Sequence, residues 1–178
     1  MLHKYKPRDF AQFLDLFDRE VIDDQGEPLL IRKCEDLFFE RLTGLLPMYV
    51  KEMTNPQLIR SLEVCVARNL GSQRLYDHYF YDTIEKTVLQ YNFEIYSRMV
   101  RALAQKQFAE DYVFWEKYVF KYVYFDPRKQ SERSFTPQEA KKLWDTMVFL
   151  KLKCPTIDIK DVLSQLEKYM EYTQPKLE

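Results

Sequence analysis

The sequence predicts an all-α fold of about seven to eight antiparallel helices in stacked pairs, a short α-solenoid or a helical bundle. Three observations predict it. Glycine is scarce, with 3 residues in a chain of 178, where average usage would give roughly twelve. Tight turns and positive-φ positions are therefore few. Apolar residues recur at three- and four-residue spacing along most of the chain. Finally, the pattern repeats: Asn55-Pro56-Gln57-Leu58 opens one helix and Asn92-Phe93-Glu94-Ile95 opens another, 37 positions later.

The elements follow in order. Pro7 and Asp9 suit the first turn of a helix, and Phe10, Phe13, Leu14, Phe17 and Val21 form its stripe. Asp23-Asp24-Gln25-Gly26-Glu27-Pro28 ends it with turn residues. A second helix begins around Leu29 to Arg32 and carries Leu37, Phe38, Leu42 and Leu45. Gly44 and Pro47 predict a kink or break there. Asn55 is the expected N-cap of the third helix, with Pro56 behind it, and Leu58, Leu62, Cys65 and Val66 mark one face. Gly71 suits a left-handed C-terminal cap, and Ser72 opens the next helix. Tyr76, Phe80, Ile84 and Val88 form that helix's stripe. After Asn92, Ile95, Met99, Ala102 and Leu103 fall where Leu58, Leu62, Cys65 and Val66 stood.

The helix from Glu110 to Phe125 is apolar nearly all round. At about 100° per residue, Tyr112, Trp115, Tyr118, Val119, Tyr122 and Val123 share one stripe, and Phe114 and Phe120 fall outside it. Either a partner protein or the final helix pair covers those two rings. Asp126 to Arg133 reads as a polar loop. Thr136-Pro137-Gln138-Glu139 then forms a capping box, followed by Leu143, Trp144, Met147, Val148 and Leu150. Cys154-Pro155 ends that helix, and the last one carries Val162, Leu163, Leu166 and Tyr169. The organisation is one domain over 1–178: an N-terminal helix and turn (1–28), helix-pair repeats (29–125), a loop (126–135) and a C-terminal pair (136–172).

Composition bounds the function. Hydrophobic residues make up 46%, enough for a packed core. Aromatics reach 16%, more than a small core uses, which leaves some for an interface. The 27 basic and 28 acidic side chains give a net charge of −1, whereas nucleic-acid binders usually carry a basic excess. Cys34, Cys65 and Cys154 form no CxxC pair and fit structural thiols in a reducing compartment. No apolar run is long enough to span a membrane.

No motif of catalysis or cofactor binding emerges, and the expectation is no enzyme, no cofactor and no metal. The acidic turn around Gly26 lacks the alternating acids of a calcium loop, and Arg32 stands where its closing Glu would be. His3 and His78 are the only histidines, and neither lies in an HExxH or Cys/His cluster. Cys65 lies on an apolar stripe, where an inert buried thiol is the usual state. Met1 to Arg8 is basic and reads as a solvated terminus, with a minimal organelle-targeting signal as the alternative.

An aromatic doublet marks each unit: Phe38-Phe39 in Asp36-Leu37-Phe38-Phe39-Glu40-Arg41-Leu42, then Tyr79-Phe80 in Asp77-His78-Tyr79-Phe80-Tyr81-Asp82-Thr83-Ile84, then Phe114-Trp115. Over roughly residues 30–125, this spacing resembles the degenerate repeats of octotricopeptide and FAST-kinase-like proteins, which work mainly on organellar RNA. The resemblance implies a helical-repeat architecture and a mitochondrial setting. The chain is short for those families and lacks the basic excess that RNA work needs.

The expectation is therefore a non-catalytic interaction or scaffold subunit of a larger assembly. A respiratory-chain complex, ATP synthase or ribosome is the kind of assembly implied. Its partners are other protein subunits, met through Phe114, Phe120, Tyr79 and Tyr81. The alternative is an RNA-binding helical-repeat factor. Its strip would comprise Arg60, Arg68, Arg98, Arg101 and Lys106 on the first helices of the two clearest repeats.

Overall fold

A computed structural model describes residues 6–9, 12, 32–106, 115–120, 123 and 136–172. The first five residues, most of the expected first helix, the acidic turn, Phe114, the 126–135 loop and the tail from Gln174 lie outside them. So do the side chains of the Phe38-Phe39 doublet. Among the described residues the structure is helical with no strand, the all-α class. It divides into two compact units, Met1–Thr87 and Val88–Glu178.

In the first unit, α1 (Arg32–Tyr49) runs through both Gly44 and Pro47, where a kink or break was expected. Pro47 lies in the final turn, so its missing N–H removes one bond near an end that frays anyway. Leu42, Leu46, Tyr49 and Val50 are buried around it and hold that turn in the core. A 3₁₀ turn, Val50–Glu52, leads to α2 (Asn55–Ala67). The cap of α2 is Thr54 rather than Asn55, and Gln57 Oε1 accepts the Thr54 N–H at 3.0 Å. The left-handed cap also falls earlier than Gly71. Leu70 N donates to Cys65 O at 2.8 Å and Asn69 N to Val66 O at 3.1 Å. With Asn69 at φ 52°, this pair of bonds is a Schellman motif, and Asn is the non-glycine residue that tolerates it best. Gly71, at φ 86°, serves the following turn; a Cβ there would stand 2.6 Å from Leu75 Cδ2.

The helix after Ser72 is not uniform. A short α3 (Gln73–Leu75) passes into a π-helical turn, Tyr76–Tyr81, and returns to α4 (Asp82–Thr87). Tyr76 and Phe80 are fully buried, as is Ile84. The Tyr76 hydroxyl donates to Leu70 O at 2.6 Å, so the ring is buried with its polar end paired.

In the second unit, a 3₁₀ turn (Val88–Gln90) precedes α5 (Phe93–Gln105). Asn92 caps α5, accepting from Ile95 N at 2.9 Å. A second π-helical turn spans Trp115–Phe120, followed by α6 (Pro137–Lys153) and α7 (Lys160–Tyr172). Thr136 and Glu139 form the expected capping box, with Glu139 N to Thr136 Oγ1 at 3.2 Å and Thr136 N to Glu139 Oε2 at 2.8 Å. Lys151 Nζ donates to Pro155 O at 2.7 Å and Ile157 O at 2.6 Å, which fastens the α6–α7 connection. The core gathers Tyr96, Met99, Leu103, Trp115, Leu143, Met147, Leu150 and Leu166.

The contacts between α5 and α6 fix their relative direction. Ser97 meets Thr146, Arg101 lies over Phe149, and Ala104 O faces Cys154. Both numbers rise together, so the two helices run parallel.

Candidate functional site

Phe120 corrects the sequence reading. It is 1% exposed, so it belongs to the core of this chain and presents no ring to a partner. The cause is the π-helical turn. In an α-helix, residues five apart lie about 140° apart around the axis, which put Phe120 off the Trp115 stripe. In a π-helix the i→i+5 bond brings residues five apart back onto one side. Trp115 and Phe120 accordingly pack with ring centroids 6.4 Å apart, while Glu116 points to solvent. Phe114 lies outside the described residues. Trp115, Val119 and Val123 are buried, as the stripe predicted.

Tyr79 and Tyr81 are half-buried on the first π-helical turn. Tyr79 lines an open groove of about 400 Å³ with Glu40, Thr43, Gly44, Pro47 and Arg74. Gly44 leaves the helix backbone bare there, with nothing within 4 Å of where its Cβ would be.

The five basic residues of the strip divide between the units. In the first, Arg60 pairs with Glu63 at 3.7 Å, and Arg68 is the C-cap of α2. In the second, Lys106 is the C-cap of α5, where a cation suits the negative helix end. Arg98 and Arg101 line a groove of about 390 Å³ along the α5–α6 seam, together with Glu94, Ser97, Lys142 and Asp145. Lys142 and Asp145 had no place in the sequence reading. Their signal was the parallel pairing of α5 with α6, which no local spacing encodes.

Phe93 also lines the groove, beside its polar and charged side chains. Asp145 is engaged by Lys141 at 3.1 Å. The Arg101 guanidinium lies 5.9 Å from the centre of the Phe149 ring, and Lys153 Nζ lies 5.7 Å from the same ring. Thr146 Oγ1 donates to Lys142 O at 2.8 Å. A hydroxyl has one proton, so the 2.9 Å contact between Ser97 and Thr146 uses the Ser97 proton. The Ser97 oxygen is left as an acceptor at the groove.

Elsewhere the titratable groups are those of a packed core. Burial pushes the Cys154 thiol above its ordinary range, and its Sγ lies 3.9 Å from Ala104 O. Burial, and secondarily the neighbouring Cys65, pushes the Tyr76 phenol well above its ordinary range. A protonated, buried thiol is a poor nucleophile. Among the described residues no three His, Cys, Asp or Glu side chains converge on a common centre, and no helix is long and apolar enough to cross a membrane. Comparison with family models, with curated proteins and with solved structures returned no match.

Proposed function

We infer that this protein is a non-catalytic interaction or scaffold subunit of a larger assembly, built as a short array of stacked helix pairs. The observation that carries this reading is the parallel register of α5 and α6. In an array of helix pairs, the first helices of successive units run parallel, and binding surfaces form along such stacks. Residues 97, 101 and 104 matched to 146, 149 and 154 give that relation. The seam stays open as a groove, as stacked first helices require if they are to receive a partner. Half-buried Tyr79 beside a bare Gly44 backbone offers a second place for contact. The resemblance to organellar helical-repeat proteins makes a mitochondrial complex the setting to test.

RNA binding is the second reading, favoured by Arg98 and Arg101 in one groove. It ranks lower because Glu94 and Asp145 line the same groove and the net charge is −1. Gel filtration of native cell extract, with and without ribonuclease, tests both. The expected result is elution in a large, ribonuclease-resistant assembly. Collapse on ribonuclease treatment would favour RNA, and elution at the 21.7 kDa of the free chain would remove the assembly reading.

A further inference from the structure

The α5–α6 groove has an unequal set of charges. Arg98, Arg101 and Lys142 face Glu94 and Asp145. Asp145 is already held by Lys141. Among the described residues, neither Arg101 nor Lys142 has a carboxylate within ion-pair distance, and both are exposed. The Arg101 guanidinium carbon lies 5.9 Å from the centre of the Phe149 ring, and its N–H donors can serve an oxyanion. Arginine holds carboxylates through two parallel N–H bonds, and lysine adds a point charge beside them.

The groove also offers acceptors. The Ser97 oxygen has its proton committed to Thr146, and Glu94 stands at the same seam. The two carboxylates would repel a phosphate backbone, which carries a negative charge at every nucleotide. A polypeptide with an acidic side chain brings both parts: a carboxylate for Arg101 and Lys142, and N–H donors for Ser97 and Glu94. The charge pattern of the seam is the complement of such a segment.

We propose that the α5–α6 seam binds an acidic segment of a partner protein, a carboxylate held by Arg101 in the groove that Lys142 also lines and a backbone N–H accepted by Ser97. This rests on the reading of the chain as an interaction subunit and names the chemistry of its partner. Association of this kind is sensitive to salt, since both cations are solvent-accessible.

The test uses the full-length ¹⁵N-labelled chain and three probes: the capped hexapeptide Lys-Ala-Glu-Glu-Ala-Lys, its counterpart with both glutamates replaced by glutamine, and hexauridylate. The glutamate peptide is expected to shift the Ser97, Arg101 and Phe149 signals saturably. The glutamine peptide should bind about tenfold more weakly, the loss of one charge-assisted contact. The double variant Arg101→Gln/Lys142→Gln should lose the response with its circular dichroism unchanged, and the exposed control Lys168→Gln should keep it. No saturable shift, shifts centred elsewhere, equal binding of the two peptides, or tighter binding of hexauridylate at these residues would each overturn the proposal. Gel filtration of extract judges the underlying reading separately. A double variant that still enters the large assembly sinks the groove alone, whereas a wild-type chain that elutes as a monomer sinks the assembly reading.

Discussion

The hydroxyl of Tyr96 donates to the backbone carbonyl of Val119 at 2.6 Å, a buried bond across 23 residues of sequence. It ties the centre of α5 to the second π-helical turn. Both residues are fully buried, so no water can replace the hydroxyl. Tyr96→Phe keeps the ring and removes this bond. The expected loss is about 0.5–1.5 kcal/mol, read as a lower urea midpoint with an unchanged slope.

Phe120 belongs to the same core. Phe120→Ala should cost about 3–5 kcal/mol, comparable with Trp115→Ala, because both leave a cavity in a packed interior. Chemical denaturation of the two variants checks this. A Phe120 variant as stable as wild type would show that the π-helical turn does not direct that ring inward.

Gly44 has the opposite expectation. It sits within α1 with open space at its Cβ position, and neither φ nor packing requires glycine there. Gly44→Ala should raise stability by about 0.5–1 kcal/mol in the isolated chain. The same variant offers a probe of the Tyr79 groove: a partner that approaches the bare backbone closely would lose affinity while the chain itself gains stability.

Thr136 starts α6 with a reciprocal box to Glu139. Thr136→Ala should destabilise by about 1 kcal/mol, and Thr136→Asp should recover part of it, since an aspartate cap also accepts the Glu139 N–H. Thermal melting of the three proteins gives the order.

Alkaline pH should weaken the fold. Tyr76 and Cys154 hold their protons more tightly in the folded chain than in the unfolded one. Their contribution is complete below the ordinary thiol and phenol ranges, about 8.5 and 10. It is lost as pH rises from those values toward the raised folded ones, because the unfolded chain ionises first. Urea midpoints measured between neutral pH and about pH 10.5 should fall, and Tyr76→Phe should flatten the upper part of the decline. Thiol labelling at mildly alkaline pH should leave Cys154 unreacted until the chain is unfolded.

Local chemistry was legible in the sequence. The Thr136 box, the Asn92 cap and the stripes of α5 and α6 are decided by neighbours within four residues, and the structure has them where the pattern placed them. Two positions slipped by a residue or two. Thr54 caps α2 in place of Asn55, with Pro56 still in the first turn, and Asn69 takes the left-handed cap ahead of Gly71. In both places two residues no more than two positions apart could do the work, and composition does not choose between them.

What the sequence determined by itself was the class: scarce glycine, helical spacing and placed caps leave the chain only helices to form. What only the tertiary structure decided were the π-helical turns at Tyr76–Tyr81 and Trp115–Phe120, and the parallel seam of α5 with α6. A π-helical turn exists because packing elsewhere absorbs an extra residue, so an angle count at α-helical pitch misplaced Phe120. The seam joins residues nearly 50 apart, from Ser97–Thr146 (|i−j| 49) to Ala104–Cys154 (|i−j| 50). That Arg101 and Lys142 line one groove is therefore a property of how two helices stack, and not of either helix alone.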